Sequence, residues 1–158
     1  MKKFLMIAFM ALMSTTMFAQ QGSTWLGANV NYGMHSDYKN LGFGAKVQYE
    51  FIDDLRAEVA FNYFLEKDHC TMWDANLNLQ YLIHAGNLTI YPLAGLTLLE
   101  SKVKVLGVSV SDSNFGVNLG AGIEFPLTDA VKLNLEGKYQ IVKDWDRPVI
   151  SAGISFAL

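Results

Sequence analysis

Two short polar segments carry the residue types that nucleophilic catalysis needs. They are "HSD" (35–37) and "DHC" (68–70). A Ser or Cys becomes a nucleophile when an imidazole within hydrogen-bond distance removes its proton and a third group orients the imidazole. Adjacency in the sequence does not supply that geometry, and neither segment lies in a known catalytic signature. His69 and Cys70 are also metal-ligand types, but two ligands do not make a metal site. We therefore predict no catalytic residues, no metal ion and no cofactor.

A second group of charged residues occupies alternate positions in otherwise polar or glycine-rich faces of extended segments. It comprises Lys46, Glu50, Arg56, Glu58, Asp74, Glu124, Lys132, Glu136 and Lys138. Four positive and five negative charges nearly balance, as expected of groups that share a poorly hydrated space, because an unpaired buried charge is costly. Such a set can form a gated ion path or proton relay, or it can fill an interior with ion pairs. We favour the structural network.

The elements that position these charges are predicted from alternation with period two, which recurs eight times after residue 23. The segments are "TWLGANVNYGM" (24–34), "LGFGAKVQYEFI" (41–52), "LRAEVAFNYFL" (55–65), "MWDANLNLQYLI" (72–83), "LTIYPLAGLTLL" (88–99), "NFGVNLGAGIEF" (114–125), "VKLNLEGKYQIV" (131–142) and "VISAGISFAL" (149–158). Their lengths, about ten to twelve residues, match tilted strands that cross a bilayer.

The two faces of these segments differ in polarity throughout. One face has roughly 45 positions without a charge, and a lipid-facing Lys or Arg at the membrane midplane costs about 2–4 kcal/mol. A soluble lipid-binding barrel would enclose all these apolar side chains, yet the interior of an eight-stranded barrel is only wide enough to be filled. The apolar face is therefore predicted to lie outside. The sequence predicts an eight-stranded, antiparallel, up-and-down transmembrane β-barrel, closed so that no strand edge faces lipid.

Residues 1–19 are predicted to be a secretory signal peptide, and residues 20–158 the barrel. Lys2 and Lys3 precede an apolar stretch (4–13), and small residues lead to Ala19. The single Cys70 cannot form an internal disulfide, which excludes a cystine-stapled secreted domain. The net charge of −3 and the lack of a basic stripe exclude a nucleic-acid partner.

The predicted connections alternate in length. Residues 53–54, 84–87 and 126–130 form short turns, whereas 35–40, 66–71, 100–113 and 143–148 form longer or more polar loops. Short turns on one rim and long loops on the other are typical of outer-membrane barrels. Residues 100–114 continue the alternation as a Val-rich ribbon with "LG" (106–107) near its tip, a possible contact for a surface partner.

The chain resembles a known family, the small eight-stranded outer-membrane barrels of the OmpA/OmpX type. The resemblance rests on the signal peptide, the eight segments, "YPLAGL", "LGAGIEF" and the ending "AGISFAL", which closes on Leu rather than an aromatic residue. It implies a monomer in the cell outer membrane, surrounded by lipid and inserted by the barrel-assembly machinery, with a structural or adhesin-like role. A narrow, porin-like pore is the alternative, followed by an outer-membrane enzyme or a soluble lipid-binding barrel.

Overall fold

The computed structural model describes residues 23–35 and 38–158, and these residues form an antiparallel β-sheet. The predicted signal peptide and Ser36 and Asp37 lie outside the described residues. The strands are β1 Thr24–His35, β2 Tyr38–Ile52, β3 Leu55–Lys67, β4 Cys70–Tyr81, continued after Leu82 by Ile83–Ala85, β5 Leu88–Val105, β6 Val108–Thr128, β7 Val131–Val142 and β8 Arg147–Ala157.

Each strand pairs with the next along the chain, and the last strand pairs with the first. In the closing pair, Trp25 lies opposite Ala157 and Gly33 lies opposite Val149. Closure gives both edge strands a partner, so that the backbone N–H and C=O groups of the wall are satisfied within the sheet. The predicted fold, an eight-stranded antiparallel barrel, is confirmed.

The burial of side chains alternates along the strands and confirms which face is outside. In β7, Lys132 and Glu136 are buried, whereas Leu135 is 50% exposed. The charged residues of this strand therefore point into the barrel and its aliphatic residues point away from it. Strand β5 follows the same rule although its inward face is apolar, because Tyr91 and Leu93 are buried in the interior.

The predicted Val-rich ribbon at 100–114 is confirmed as a paired hairpin, whereas the prediction of a longer polar loop at 66–71 is wrong. Residues 66–71 contain a turn only at 68–69, and 100–113 contain a turn only at 106–107; the remaining residues belong to paired strands. The hairpins extend beyond the membrane, where water could also satisfy the backbone N–H and C=O groups. Antiparallel pairing continues to satisfy these groups there, so the strands can lengthen. The two rims differ in strand extension more than in loop length.

The interior is tightly packed where Tyr91 crosses Gly122 of the neighbouring strand. The two residues are opposite each other in the β5–β6 pair, and the ring of Tyr91 occupies the space that a side chain at position 122 would need. Gly122 therefore allows an aromatic ring to lie flat against the inner wall. Gly137 faces outward on β7, and a β-carbon there would meet no other atom within 4 Å.

We expect Gly122→Ala to destabilise the barrel by about 1–3 kcal/mol, because the added methyl group overpacks the interior against Tyr91. Gly137→Ala is the matched control, and it should leave stability unchanged or raise it by up to about 1 kcal/mol. Urea unfolding in detergent or lipid vesicles, followed by tryptophan fluorescence, measures both. Equal stability of the two variants would contradict the packing described.

Candidate functional site

The lumen is the candidate site, since it contains eight of the nine charged residues predicted to form a network. Those eight are at most 6% exposed: Lys46, Arg56, Glu58, Asp74, Glu124, Lys132, Glu136 and Lys138. The ninth, Glu50, lies near the rim and its side chain is 30% exposed. The network divides into three layers along the barrel axis. We refer to the end that carries Thr24 and Ala157 as the terminal end and to the opposite end as the ribbon end.

The layer nearest the terminal end is built around Arg56 of β3. Its guanidinium group donates two hydrogen bonds to the carboxylate of Glu124 on β6, at 2.7 and 3.0 Å, and its Nε donates to Gln80 at 2.6 Å. Lys132 Nζ lies 3.2 Å from the same carboxylate and 4.0 Å from the centre of the Trp25 ring. Arg56 and Glu124 come from strands that are not neighbours, so this pair crosses the lumen.

The middle layer contains two further acidic groups with basic neighbours. Lys46 Nζ lies 3.5 Å from Glu58, and the carboxylate of Glu58 also accepts hydrogen bonds from Gln48 at 2.8 Å and from Asn78 at 3.0 Å. The second group pairs Lys138 with Glu136 at 3.7 Å.

Tyr91 completes the second group of this middle layer, because its hydroxyl donates to Glu136 at 2.9 Å. Each buried carboxylate in this layer therefore has both a cation and a neutral donor, the arrangement that makes burial of a charge tolerable.

The third layer lies toward the ribbon end and is centred on Asp74 of β4. Its carboxylate accepts hydrogen bonds from Asn62 and Asn76, each at 2.6 Å, and from Gln140 at 3.2 Å. Arg147 of β8 donates to it at 3.0 Å. This ion pair also crosses the lumen, between strands on opposite sides of the barrel.

Arg147 was missed by sequence reasoning, which assigned it to the polar loop 143–148. It is 1% exposed, it donates to Gln140 at 2.8 Å, and its guanidinium lies 4.2 Å from the centre of the Phe64 ring. The alternation of the last strand could have identified it. Arg147 lies four residues before the inward-facing Ser151, and residues an even number of positions apart share a face of a strand. With Arg147 the lumen set has five basic residues to balance the five acidic ones.

An apolar cluster lies above the Asp74 layer at the ribbon end. Phe64, Cys70 and Met72 are buried together, and Val103 and Trp145 pack against them. The Met72 sulfur lies 3.6 Å from a guanidinium nitrogen of Arg147, so this cap and the polar layer beneath it are in direct contact.

The two segments considered for catalysis are placed differently from each other. His69 lies exposed in the β3–β4 turn, whereas its neighbour Cys70 points into the apolar cap. The His35 ring lies against the Trp145 ring, tilted by 43° with 5.3 Å between ring centres, and its Nδ1 lies 2.9 Å from the Asp146 carbonyl. Among residues 23–35 and 38–158, no group of three or more His, Cys, Asp or Glu side chains is placed to hold a metal ion.

Comparisons with known proteins agree with this geometry. A family model described as "Outer membrane protein beta-barrel domain" matches residues 5–156. The chain belongs to this family. Membership of this family places the protein in the cell outer membrane, with its apolar face toward lipid. In the described part of the chain, no helix has the length and hydrophobicity to cross a membrane.

Several solved structures share the fold. Neisserial surface protein A is 18% identical, with 85% of this chain and 96% of that chain covered and a TM-score of 0.70. The N-terminal barrel of Pseudomonas aeruginosa OprF is 15% identical, with 87% and 100% covered and a TM-score of 0.71. Ail, the attachment invasion locus protein of Yersinia pestis, is 19% identical, with 87% and 97% covered and a TM-score of 0.65. No curated protein sequence matches the chain significantly.

The ion pair between Asp74 and Arg147 gives a prediction about stability. Asp74→Asn leaves a buried cation without its counter-charge, so we expect it to cost about 3–5 kcal/mol. Arg147→Met should cost a similar amount, and the double variant should cost less than the sum, because both charges are then absent. Urea unfolding of the four proteins measures the coupling.

Lys143→Gln in the exposed β7–β8 turn is the control and should lie within about 0.5 kcal/mol of the wild type. Additive losses in the double variant would show that Asp74 and Arg147 do not act as a pair.

Proposed function

We propose that the protein is a surface-interaction protein of the outer membrane, in which packed side chains close the lumen and the β5–β6 hairpin carries the contact surface. The observation that carries the proposal is the projection of this hairpin beyond the other strands. Strand β4 pairs with β5 only as far as Val103, and β7 pairs with β6 only from Gly116 onward. Of the strands that the structure describes, only β5 and β6 continue beyond Val103 and Val110, as a two-stranded hairpin. We call the whole segment from Glu100 to Asn114 the ribbon and propose that it lies at the cell surface.

The ribbon has a free edge suited to binding another chain. Among the described strands, none pairs with residues 108–115 on the side that β7 occupies lower down. Unpaired N–H and C=O groups on such an edge can accept an extended peptide as an added strand. Edges are usually protected by charged residues, but Asp112 is the single charge in this stretch. Ail is named as an attachment protein, which supports an adhesin-like role by analogy only.

The closed lumen is the second part of the proposal. The ion pairs Arg56–Glu124 and Asp74–Arg147 join opposite walls, and an eight-stranded barrel has no space for a wide channel beside them. We infer that the network supports the fold rather than transport or catalysis. We also propose that the chain functions as a monomer without a cofactor. Its last strand, with Ile154, Phe156 and Leu158 alternating, is proposed to engage the assembly machinery during insertion.

A narrow pore is the second candidate, favoured by one observation. Several buried polar atoms in the lumen lack a protein partner, among them Gln48 Oε1, Gln80 Nε2 and Asn134 Oδ1. Such atoms can bind water molecules, and a chain of them would be needed for ion passage. The crossing ion pairs oppose this function, because an ion would have to displace a hydrogen-bonded charge in the Arg56 layer and again in the Asp74 layer.

Shortening the ribbon tests the contact surface. Lys102 and Ser111 lie opposite each other, so an Asn-Gly turn that replaces residues 103–110 joins them in the same register. We expect the shortened barrel to fold, as judged by the mobility shift on boiling. Its binding to an array of immobilised matrix and serum proteins should fall at least about fivefold, the loss of a modest contact. The control, Ser109→Ala with Ser111→Ala, keeps the ribbon's length. Unchanged binding by the shortened protein would refute the proposal.

Liposome swelling tests the closed lumen. We expect vesicles that contain the wild-type protein to admit arabinose no faster than empty vesicles, because the crossing ion pairs block the path. Arg56→Ala removes the pair with Glu124 and is the variant expected to raise ion conductance in planar bilayers. Sugar uptake by the wild-type protein well above the background would instead favour the pore.

A further inference from the structure

The turn at the tip of the ribbon has an unusual composition for its conformation. Leu106 and Gly107 both have positive φ angles, 49° and 81°, as the two central residues of a type I′ hairpin turn do. Asn, Asp and Gly are favoured there, because a β-carbon makes left-handed backbone unfavourable for most other residues. Leu is not a residue that this turn selects.

In the other tight turns of the described chain, the positive-φ positions are occupied by Asp or Gly and once by His, which is also enriched in this conformation. Their non-glycine residues with positive φ are Asp54, Asp68, His69 and Asp144. Leu106 is the single aliphatic residue among those described in this conformation. Backbone strain persists where another requirement outweighs it. A requirement other than the geometry of the turn therefore selects Leu at position 106.

Solvent exposure adds a second, independent cost at the same place. Leu106 is 100% exposed, and Val105, Val108 and Val110 are 59%, 64% and 63% exposed. Val105 lies opposite Val108 and Val103 lies opposite Val110, so the four valines share one face of the ribbon. Val103 packs on the apolar cap and thereby anchors the base of this face, while more than half of each of the other three valines is exposed.

The opposite face of the ribbon is basic and polar. Near the tip this face has Lys102 and Lys104, whereas the two carboxylates of the ribbon, Glu100 and Asp112, lie toward its base. Both lysines are exposed, and by the alternation of the strand they lie on the face away from the valines. An apolar tip and face backed by cations is the pattern with which amphipathic segments bind anionic lipid surfaces.

The protein's own membrane is not the target of this tip. Outward-facing residues of β5 change from Leu98 to Glu100, which marks the upper limit of the lipid-facing band. Val105 is five residues beyond Glu100, about 16 Å farther along the strand. The valines also occupy the alternate strand positions that face the lumen lower in the barrel, so their face points away from the surrounding lipid.

We propose that the ribbon tip inserts Leu106 and the flanking valines into the lipid bilayer of an opposing, anionic membrane, with Lys102 and Lys104 at its headgroups. This inference rests on the proposed surface-interaction function and names its partner. A protein partner bound along the free edge of residues 108–115 would use the backbone of β6. Such a partner would not explain an aliphatic side chain in the left-handed turn.

The test uses the full-length barrel in nanodiscs and acceptor vesicles of phosphatidylcholine with or without phosphatidylserine. Co-flotation measures binding. We expect the wild-type protein to bind vesicles that contain phosphatidylserine, and Leu106→Asn to reduce this binding about tenfold, the effect of withholding one large aliphatic side chain. Lys102→Gln with Lys104→Gln should weaken binding to the anionic vesicles alone, and added salt should have the same effect.

Asn is favoured at the tip position, so Leu106→Asn should fold at least as well as the wild type, which the mobility shift on boiling verifies. Leu127→Asn is the matched control: Leu127 is 56% exposed near the terminal end, and its replacement should not alter vesicle binding. Full binding by Leu106→Asn, or equal loss in Leu127→Asn, would overturn the proposal.

Two further outcomes separate this proposal from the one on which it rests. A wild-type protein that binds the protein array but no vesicle would refute membrane insertion and leave the surface-interaction function standing. A wild-type protein that binds neither would refute both.

Discussion

The rest of the structure depends on the requirement that backbone N–H and C=O groups be paired where no water can reach them. The pairing of β8 with β1 meets this requirement by leaving no edge within the lipid-facing band. Closure of eight strands then fixes a narrow interior. The outer face must be apolar because lipid surrounds it, so the polar side chains of a strongly alternating sequence have one remaining location. The buried charges of the lumen are a consequence of closure.

We propose that the charge network in the lumen specifies the fold more than it stabilises it. Desolvation offsets much of the attraction within a buried ion pair, so pairs such as Arg56–Glu124 add little net stability. Their effect on incorrect strand registers is larger, because a shift of one residue in strand pairing exchanges the two faces of a strand. In β7 such a shift would turn Glu136 and Lys138 toward lipid, at a cost of about 2–4 kcal/mol for the lysine near the midplane. Charges that contribute little in the correct register therefore exclude the incorrect one.

The two faces of the barrel could be predicted because alternation along a strand assigns each residue to a face, wherever the strand begins or ends. Val131–Val142 was placed correctly at both ends and on both faces. Strand ends above the membrane could not be predicted, since pairing and water both satisfy the backbone there. Arg147 illustrates the limit: it precedes Pro148 in a polar segment, and its burial depends on Asp74, a residue on β4 whose distance from it no local pattern encodes. Phe64 and Met72 were obscured for a related reason, because inward apolar residues interrupt an otherwise polar lumen face.

The polarity of β5 shows that the environment, and not the strand, decides which residues each face carries. The outward face changes from Leu96 and Leu98 to Glu100 and Lys102 as the strand leaves lipid. The inward face changes in the opposite sense, from Thr97 in the lumen to Val103 over the cap. Up to Val103 both changes follow from burial, since that residue packs on Phe64, Cys70 and Met72.

Beyond Val103 the correspondence between environment and residue type ends. Val105, Leu106, Val108 and Val110 remain apolar although each is more than half exposed, in a hairpin that Ser or Asn would form as well. Exposed apolar groups grouped on one surface are typical of interaction sites. The fold accounts for the sequence as far as the cap, and we propose that a contact outside the molecule accounts for the residues above it.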